Sequence, residues 1–344
     1  MKHIIIGGDG FVGQHLAANL AAMGEEVVVA DIVKSPHAHY NQVRFVHLDV
    51  CDAAAFAGLE LSPDDVVYNL SAKMLSPIVT RGRRRAFFWP VNFQGVKHIL
   101  HWMEEAGARR LVHFSTDMVY GHTHTVPSDE NEPCIPLGEY GRSKLASERL
   151  CQKYRERGFD ITIFRPRLII GPGRLGILSK LFKLIDMNLP VPMIGSGRNP
   201  YQFISVFDCA SACTAAWKAG FPNKVYNLGS DDPPPVRELL GNLIREAGSW
   251  SVLVPAPARL VKLTLDGFDL VNLPVMDPEQ YLIADEVCIL STQAAREDLG
   301  WTPKYRDSDM LNAAYREYRA NLEYRTTGTK PVKDTRPANA LEKH

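Results

Sequence analysis

Tyr140 and Lys144 have a spacing that can carry out acid–base chemistry. A free phenol has a pKa of about 10, which is too high for a base near neutral pH. A lysine one helical turn later lies on the same helix face and can stabilise the phenolate, which lowers the phenol pKa. Of the twelve tyrosines, only Tyr140 has a lysine four positions later. At a lysine frequency of about 4%, roughly half a match arises by chance, so the surrounding sequence must decide.

The stretch STDMVYG, residues 115–121, brings a second group of candidates close together. Thr116 offers a hydroxyl, Asp117 a carboxylate and Tyr120 a phenol, while Met118 between them has no proton to exchange. Thr116 precedes Tyr140 by 24 residues. Residue types alone leave open which of these groups is catalytic.

A glycine pattern, GGDGFVG, follows an apolar run at the start of the chain. In such a loop the first glycine allows a tight turn, the middle one lets backbone approach a pyrophosphate, and the third lets a helix pack on the strand. A tight turn without a ligand is the structural alternative. The predicted pyrophosphate loop comprises Gly7, Gly10, Phe11, Val12 and Gly13.

Asp31 stands 18 residues after Gly13, at the end of the next apolar run. A carboxylate there can hold the adenine ribose hydroxyls and repels a 2′-phosphate. The sequence therefore favours NAD over NADP as cofactor, while Lys34 nearby keeps NADP open.

Strands and helices that would position these groups alternate along the first half of the chain. The predicted helices have apolar residues at helical spacing. Alternation over about 165 residues argues for a parallel sheet covered on both faces, with ligands at the carboxyl ends of its strands. The predicted strands are HIIIGG, EEVVVAD, VRFVHLDV, DVVYNLSA, RRLVHFST and DITIFRP.

With Asp49 after the third strand and NLSAK after the fourth, the sequence resembles the extended short-chain dehydrogenase/reductases, also called the NAD-dependent epimerase/dehydratase family. The resemblance runs from residue 1 to about 320 and includes a late LGWTP. It implies an α/β fold, a doubly wound parallel (Rossmann) sheet with a smaller C-terminal substrate lobe. The implied cofactor domain is 1–166 plus about 198–225, and the implied substrate lobe is about 167–197 plus 226–325. We expect a disordered tail over 326–344, which is polar and lacks periodicity.

The resemblance also implies roles for individual residues. Thr116 would hydrogen-bond the reacting substrate oxygen, Tyr140 would act as acid and base, and Lys144 would tune Tyr140 and bind the nicotinamide ribose. Tyr120 becomes a packing residue. Asp49 would contact the adenine amine, and the remaining implied cofactor residues are Val50, Leu70, Ser71, Ala72, Asn92 and Pro166.

Asp117 and Met118 are expected at the substrate and bear on the reaction type. Sugar-nucleotide 4,6-dehydratases resemble this segment but carry an Asp-Glu pair after the threonine. Met118 stands in place of the glutamate that abstracts a proton, so loss of water is disfavoured. Hydride transfer remains, alone or as half of an epimerisation.

The predicted substrate contacts depart from the sugar-nucleotide pattern. Leu168 replaces the usual asparagine, Tyr201 replaces the arginine that grips a diphosphate, and Arg198 could reach in from three positions earlier. These departures resemble the 3β-hydroxysteroid and sterol dehydrogenase branch. We therefore expect a ketone or secondary alcohol on a bulky apolar molecule, such as a sterol or a 3-keto sphingolipid intermediate. A nucleotide-sugar epimerase or reductase is the alternative, and a non-catalytic dinucleotide sensor is a third interpretation.

The segment RGRRRAFFWP, residues 81–90, permits two interpretations. It is a solvated basic loop leading into a helix, or a peripheral membrane contact at the inner face. Two histidines in GHTHT, residues 121–125, have no evident third ligand, so we expect no metal site.

Composition limits the remaining choices. Net charge is zero, which gives no basic surface for nucleic acid. The six cysteines contain no CxxC pair and suggest reduced thiols in a cytoplasmic protein, with Cys209 and Cys213 as core residues. No apolar run reaches the about 18 residues of a spanning helix. The family resemblance makes a homodimer an expectation by analogy.

Overall fold

The computed structural model describes residues 1–36, 41–173, 176 and 178–327. Over these residues the chain forms eleven strands, most of them short. They are β1 (Lys2–Ile6), β2 (Glu26–Asp31), β3 (Arg44–His47), β4 (Val66–Asn69), β5 (Arg110–Phe114), β6 (Asp160–Pro166), β7 (Leu168–Ile170), β8 (Val191–Ile194), β9 (Phe203–Ser205), β10 (Val225–Leu228) and β11 (Leu253–Ala256).

Helices separate most of these strands. Within the described residues the α-helices are α1 (Gly13–Ala22), α2 (Arg84–Trp89), α3 (Val96–Glu105), α4 (Glu139–Arg155), α5 (Leu178–Asp186), α6 (Val206–Lys218), α7 (Val236–Glu246), α8 (Ala258–Leu270), α9 (Pro278–Tyr281), α10 (Gln293–Leu299) and α11 (Asp307–Thr327). Of the predicted tail, Thr326 and Thr327 end α11, and the rest lies outside the described residues.

In the described part of the chain, seven strands make one parallel sheet in the order β10-β6-β5-β4-β1-β2-β3. The chain moves outward in one direction from β1 to β3 and in the other from β4 to β10. This reversal puts a crevice at the carboxyl ends of β1 and β4. The predicted doubly wound α/β fold is confirmed.

Apolar side chains fill both faces of this sheet. Helices α1 and α6 cover one face, and α3 and α4 cover the other. Cys209 and Cys213 of α6 have no exposed surface and are free thiols, so their predicted place in the core is confirmed. A strand buried on both faces reads as an unbroken apolar run, which is why the first strands were predictable from sequence.

A third apolar cluster lies outside the main sheet. It joins α5, α7 and α11 to two small parallel sheets, β7 with β9 and β8 with β11. Phe182, Leu243 and Leu311 are among its fully buried members. The division into two lobes with the boundaries given above stays a prediction.

Helices α2 and α3 are joined by a π-helical turn, Pro90–Gly95. Pro90 has no N–H to donate inside the helix, and π-turns often occur at functional sites. Gly95 lies so close to Val50 that an added Cβ would stand 2.7 Å from Cγ2 of Val50. This approach brings the π-turn, with Asn92 in it, up to the end of the sheet.

Arg84 joins α2 to the C-terminal part of the chain. Its guanidinium is buried and forms a two-pronged ion pair with Asp269 of α8, and its Nε lies 3.2 Å from Asp277. Arg84 thus neutralises two carboxylates that are themselves buried.

Replacing Arg84 by alanine should destabilise the protein strongly, because Asp269 and Asp277 would stay buried without their cation. We expect a loss of about 3–5 kcal/mol in the free energy of unfolding. The matched control is Arg85→Ala, since the Arg85 side chain is 68% exposed and should cost at most about 1 kcal/mol. Urea denaturation measures both, and equal effects would contradict the role given to Arg84.

Candidate active site

A cleft with a volume of about 360 Å³ lies at the carboxyl ends of the central strands. All the sequence-predicted site residues except Asn92 and Arg198 line it. They are Gly7, Gly10, Phe11, Val12, Gly13, Asp31, Asp49, Val50, Leu70, Ser71, Ala72, Thr116, Asp117, Met118, Tyr140, Lys144, Pro166, Leu168 and Tyr201. The cleft therefore brings together residues from eight separate segments of sequence.

The glycine loop is packed too tightly for side chains at two positions. Gly7 has φ of +78°, and Gly13 lies so close to it that an added Cβ would stand 2.4 Å from the Gly7 carbonyl oxygen. Helix α1 begins at Gly13, directly behind this loop. The loop thus offers bare backbone and a helix N-terminus, which fit a pyrophosphate.

Asp31 ends β2 beside that loop. Its carboxylate accepts hydrogen bonds from the backbone N–H of Ile32 at 2.7 Å and of Asp9 at 3.0 Å, which hold it at the rim of the cleft. Burial raises the pKa of this carboxyl group. Lys34 places its ammonium over the Phe45 ring, 5.4 Å from the centroid. A carboxylate held here fits the two hydroxyls of an adenine ribose.

Lys144 and Tyr140 lie one turn apart on α4 and are both buried. The Lys144 ammonium donates to the carbonyl oxygen of Phe114, at the end of β5, at 2.9 Å. Burial lowers the pKa of Lys144 to about 8. The phenol of Tyr140 reaches the sulfur of Met74 at 3.5 Å. The pair has the shared helix face that the spacing predicted.

Thr116 stands across the cleft, just after β5. Its hydroxyl donates to Asp117 at 3.1 Å and accepts from the Met118 N–H at 3.2 Å. Tyr120 does not line the cleft: its hydroxyl donates to Asn227 at 2.7 Å and accepts from Arg165 at 2.9 Å. Tyr120 is therefore a buried packing residue, as predicted.

Glu279 of the C-terminal part fixes the start of α4. Its carboxyl oxygens accept from the backbone N–H groups of Tyr140 and Gly141, both at 2.9 Å. These are donors that a helix N-terminus leaves without partners. Nothing in the local sequence signalled this cap, because Glu279 lies about 140 positions away along the chain.

Asn92 is fully buried and lies outside the cleft lining, although it was predicted among the cofactor contacts. Its amide accepts from the backbone N–H of Lys73 at 2.8 Å and donates to the hydroxyl of Ser143 at 3.1 Å. Asn92 therefore ties the loop after β4 to α4. It acts on the site through position, as a support.

The structure puts an unpredicted cation, Arg167, into the cleft. Arg167 is 3% exposed, forms an ion pair with Asp117, and lies with its guanidinium 5.0 Å from the Tyr201 ring centroid. Its Nη2 atom is buried, and none of the described residues forms a hydrogen bond with it. Arg198, by contrast, is exposed and is not among the residues that line the cleft, so its reach into the substrate site stays a prediction. The signal for Arg167 in the sequence was the RPR triplet at 165–167, which directly precedes Leu168.

Residues 81–90 form neither a plain solvated loop nor an exposed aromatic cluster. Phe88 is buried against Tyr140, Phe87 faces the Lys73 ammonium, and the Trp89 indole donates to Glu139 at 2.7 Å. The membrane contact predicted for these aromatic side chains therefore gains no support. No described helix is long and apolar enough to cross a membrane.

The histidines of residues 121–125 each face a carboxylate. His122 lies 2.9 Å from Glu286, and His124 lies 2.9 Å from Glu132. Among the described residues, no group of three or more potential metal ligands lies together.

Comparison with known proteins places this geometry in a family. Residues 3–229 match the model of the NAD dependent epimerase/dehydratase family. This chain belongs to that family, whose members use NAD. Its relatives include an uncharacterized protein, y4nG, of Sinorhizobium fredii, 30% identical over 92% of this chain and 78% of that protein.

Other relatives have names that describe reactions on nucleotide-linked sugars. The dTDP-D-glucose 4,6-dehydratase of Mus musculus is 28% identical over 72% of this chain and 74% of its own. A UDP-galactose 4-epimerase crystal structure superposes with a TM-score of 0.74 at 22% identity, covering 94% of this chain and all of the other. These relatives give no support to the predicted resemblance to the 3β-hydroxysteroid branch.

Glu279→Gln should change how stability depends on pH. Burial, together with the charge of Asp277, raises the pKa of Glu279 from 4.5 to about 8. The folded state then keeps a proton that the unfolded state has released, so the stabilisation is complete below about pH 4.5 and is lost as pH rises through about 8. The wild-type free energy of unfolding should fall relative to that of the variant over this window, by at most about 1.4 kcal/mol per pH unit.

Urea denaturation between about pH 5 and pH 9 measures this difference. The control is Glu26→Gln, an exposed glutamate on β2. A constant difference between wild type and E279Q across the whole range would show that Glu279 does not titrate there.

Proposed function

We propose that this chain is an NAD-dependent epimerase or reductase that transfers hydride at a hydroxyl-bearing carbon of a nucleotide-linked sugar. The observation that carries the chemistry is the meeting of Thr116, Tyr140 and Lys144 in the cleft that the glycine loop also lines. The names of the relatives, which are sugar epimerases and dehydratases, support the substrate class.

The residues of the cleft fit the cofactor. Gly7 and Gly13 leave backbone room for the pyrophosphate, and Asp31 offers acceptors for the adenine ribose. Asp49, Val50, Leu70, Ser71, Ala72 and Pro166 would line the rest of the dinucleotide. When bound, the nicotinamide takes up or returns the hydride.

The proton moves through Tyr140. Its phenolate would take the proton of the substrate hydroxyl as the carbon loses hydride, and the phenol would return it in the reverse step. The Lys144 ammonium stabilises the phenolate, and Thr116 orients the substrate oxygen by a hydrogen bond. Retention of this complete set disfavours the dinucleotide-sensor interpretation.

Loss of water is disfavoured by two groups. Met118 at the cleft has no proton to exchange. Asp117 forms an ion pair with the buried Arg167. Proton transfer to Asp117 would leave that guanidinium buried without its counter-ion, which is costly. An epimerase or a reductase needs neither group as an acid or base.

Arg167 is the arginine that would make a polar contact with the substrate, because it lines the cleft and Arg198 does not. An acceptor oxygen of a sugar or a phosphate would satisfy its buried, unpartnered Nη2 if the side chain turned that atom toward the cleft. A hydrogen bond to a charged donor is stronger than a neutral one. This contact favours a polar substrate.

An apolar ketone is the second candidate substrate, because one observation favours it. Leu75, Met118, Leu168, Leu178 and Tyr201 all line the substrate end of the cleft. Each Å² of apolar surface buried there would contribute about 25 cal/mol. A sterol or a 3-keto-lipid would fit this lining.

The proposal also includes a division into two lobes and an oligomeric state. Residues 1–166 with about 198–225 would hold the cofactor, and about 167–197 with 226–325 would hold the substrate. A homodimer is proposed by analogy with the family alone.

Asp31→Ala should narrow the preference for NADH over NADPH. We expect wild type to bind NADH more tightly, since Asp31 would face a 2′-phosphate, and the variant to lose about tenfold of that preference. Fluorescence titration gives both dissociation constants. Asp52→Ala, an exposed carboxylate outside the cleft, is the control. A wild type that already prefers NADPH would remove Asp31 from the ribose site.

Tyr140→Phe tests the proposed function. Wild type, supplied with NAD or NADH, should epimerise or reduce at least one UDP-, dTDP- or GDP-linked sugar, while the variant should be slower by about 10²–10⁴-fold. Both forms should bind NADH equally. Tyr154→Phe is the matched control, because Tyr154 lies on the same helix in the core.

Three outcomes decide the proposal. Turnover of a nucleotide sugar that Tyr140→Phe abolishes supports it. Turnover only of a detergent-dispersed 3-keto-lipid would replace the sugar with the apolar substrate. Absence of turnover for every compound, with NADH still bound, would favour the sensor.

A further inference from the structure

Helix α8 buries a carboxylate and exposes three leucines. Among its thirteen residues only Asp269 is buried. Leu260 is 61% exposed, Leu263 69% and Leu270 65%. At 100° per residue these three leucines lie within an arc of about 80°, and Asp269 lies about 100–180° away from them. The helix therefore turns Asp269 inward and these three leucines outward.

The inward side of α8 is held by polar contacts. Asp269 pairs with Arg84, Lys262 pairs with Asp285, and the Tyr281 hydroxyl donates to Asp266. These contacts set the rotation of the helix, since turning the leucines inward would break all of them. Exposure of the leucine face is thus specified by the structure.

The apolar surface continues past the end of the helix. Val271 is 64% exposed and Leu273 65%. We call Leu260, Leu263, Leu270, Val271 and Leu273 the α8 face. Single exposed apolar residues are ordinary on protein surfaces, whereas a contiguous set marks an interaction site.

In the described part of the chain, cations without carboxylate partners lie on α8 and on segments that contact α8 or its neighbours. Arg81 and Arg83 are exposed, precede the Arg84 that binds Asp269, and have no ion pair. Arg259 at the start of α8 is also exposed and unpaired. Lys180 approaches from α5, where its ammonium donates to the carbonyl oxygen of Val275 at 3.4 Å. Of the two carboxylates of α8, Asp269 is neutralised by Arg84, whereas Asp266 is exposed and accepts a hydrogen bond from the Tyr281 hydroxyl.

We propose that the α8 face docks on the surface of an anionic lipid bilayer. A helix with leucines on one side and arginines at its rim lies in the headgroup region, with the leucines among acyl chains and the cations on lipid phosphates. A second copy of the chain fits less well, because a two-fold contact through this face would bring like cations together.

This surface borders the active-site cleft. Leu178 lines the cleft in the same helix, α5, that carries Lys180, and Gln280 lines it in α9, which packs on α8. Docking would therefore hold the mouth of the cleft near the membrane. The inference does not depend on which substrate the cleft takes.

Vesicle sedimentation of the whole protein tests the proposal. Wild type should bind vesicles of phosphatidylglycerol and phosphatidylcholine more tightly than vesicles of phosphatidylcholine alone, and added salt should weaken the binding. Leu263→Glu with Leu270→Glu should lower the binding about tenfold or more. The matched control is Val126→Glu with Ile135→Glu, because these residues are 53% and 63% exposed and are not part of the α8 face.

Three further measurements keep the result clear. The Tm and NADH affinity of the double variant should equal those of wild type, since both leucines face outward. A chain ending at Thr327 should bind vesicles as wild type does; loss of binding would assign the contact to the residues beyond Thr327. The proposal is overturned if the double variant still binds vesicles as wild type does. It is also overturned if wild type binds no vesicles and is instead a dimer that becomes monomeric in the double variant.

Discussion

The hydrogen bond from the Lys144 ammonium to the carbonyl of Phe114 is the interaction on which the site depends. It joins the end of β5 to α4 at 2.9 Å and sets the rotation of that helix. Lys144 is 2% exposed, and a buried ammonium without a partner is costly, so this carbonyl is needed. Once α4 is fixed, Tyr140 must face the cleft one turn earlier, opposite the Thr116 that follows β5 directly.

Long-range polar contacts complete this arrangement from the C-terminal half. Glu279 accepts two N–H groups at the start of α4, and Arg84 binds Asp269 and Asp277 across the same boundary. Each contact satisfies a buried group that its own segment leaves without a partner. The C-terminal segments beside the cleft are therefore held in register with α4. Movement of one part would expose unpaired charge in the other.

The sequence predicted those features that depend on residues close together in the chain. The strands, the glycine loop and the Tyr140–Lys144 spacing all follow from a few neighbouring residues. Arg84 was missed because RGRRR looks like a solvated run, while its carboxylate partner lies 185 positions away. Periodicity also shows which residues of α8 share a face but not which face points inward. Arg167, similarly, acquires its role only through Asp117 and Tyr201, which other strands bring to it.

Arg167 also bears on the choice between a polar and an apolar substrate. Leaving its buried Nη2 without an acceptor costs about 1–3 kcal/mol. At about 25 cal/mol per Å², an apolar substrate offsets that cost only by burying about 40–120 Å² more than a polar one. A large ring system can do so, whereas a sugar cannot and must supply the acceptor itself. An oxygen on the substrate would remove this cost only if Arg167 turned Nη2 toward the cleft, because the atom is buried in the structure.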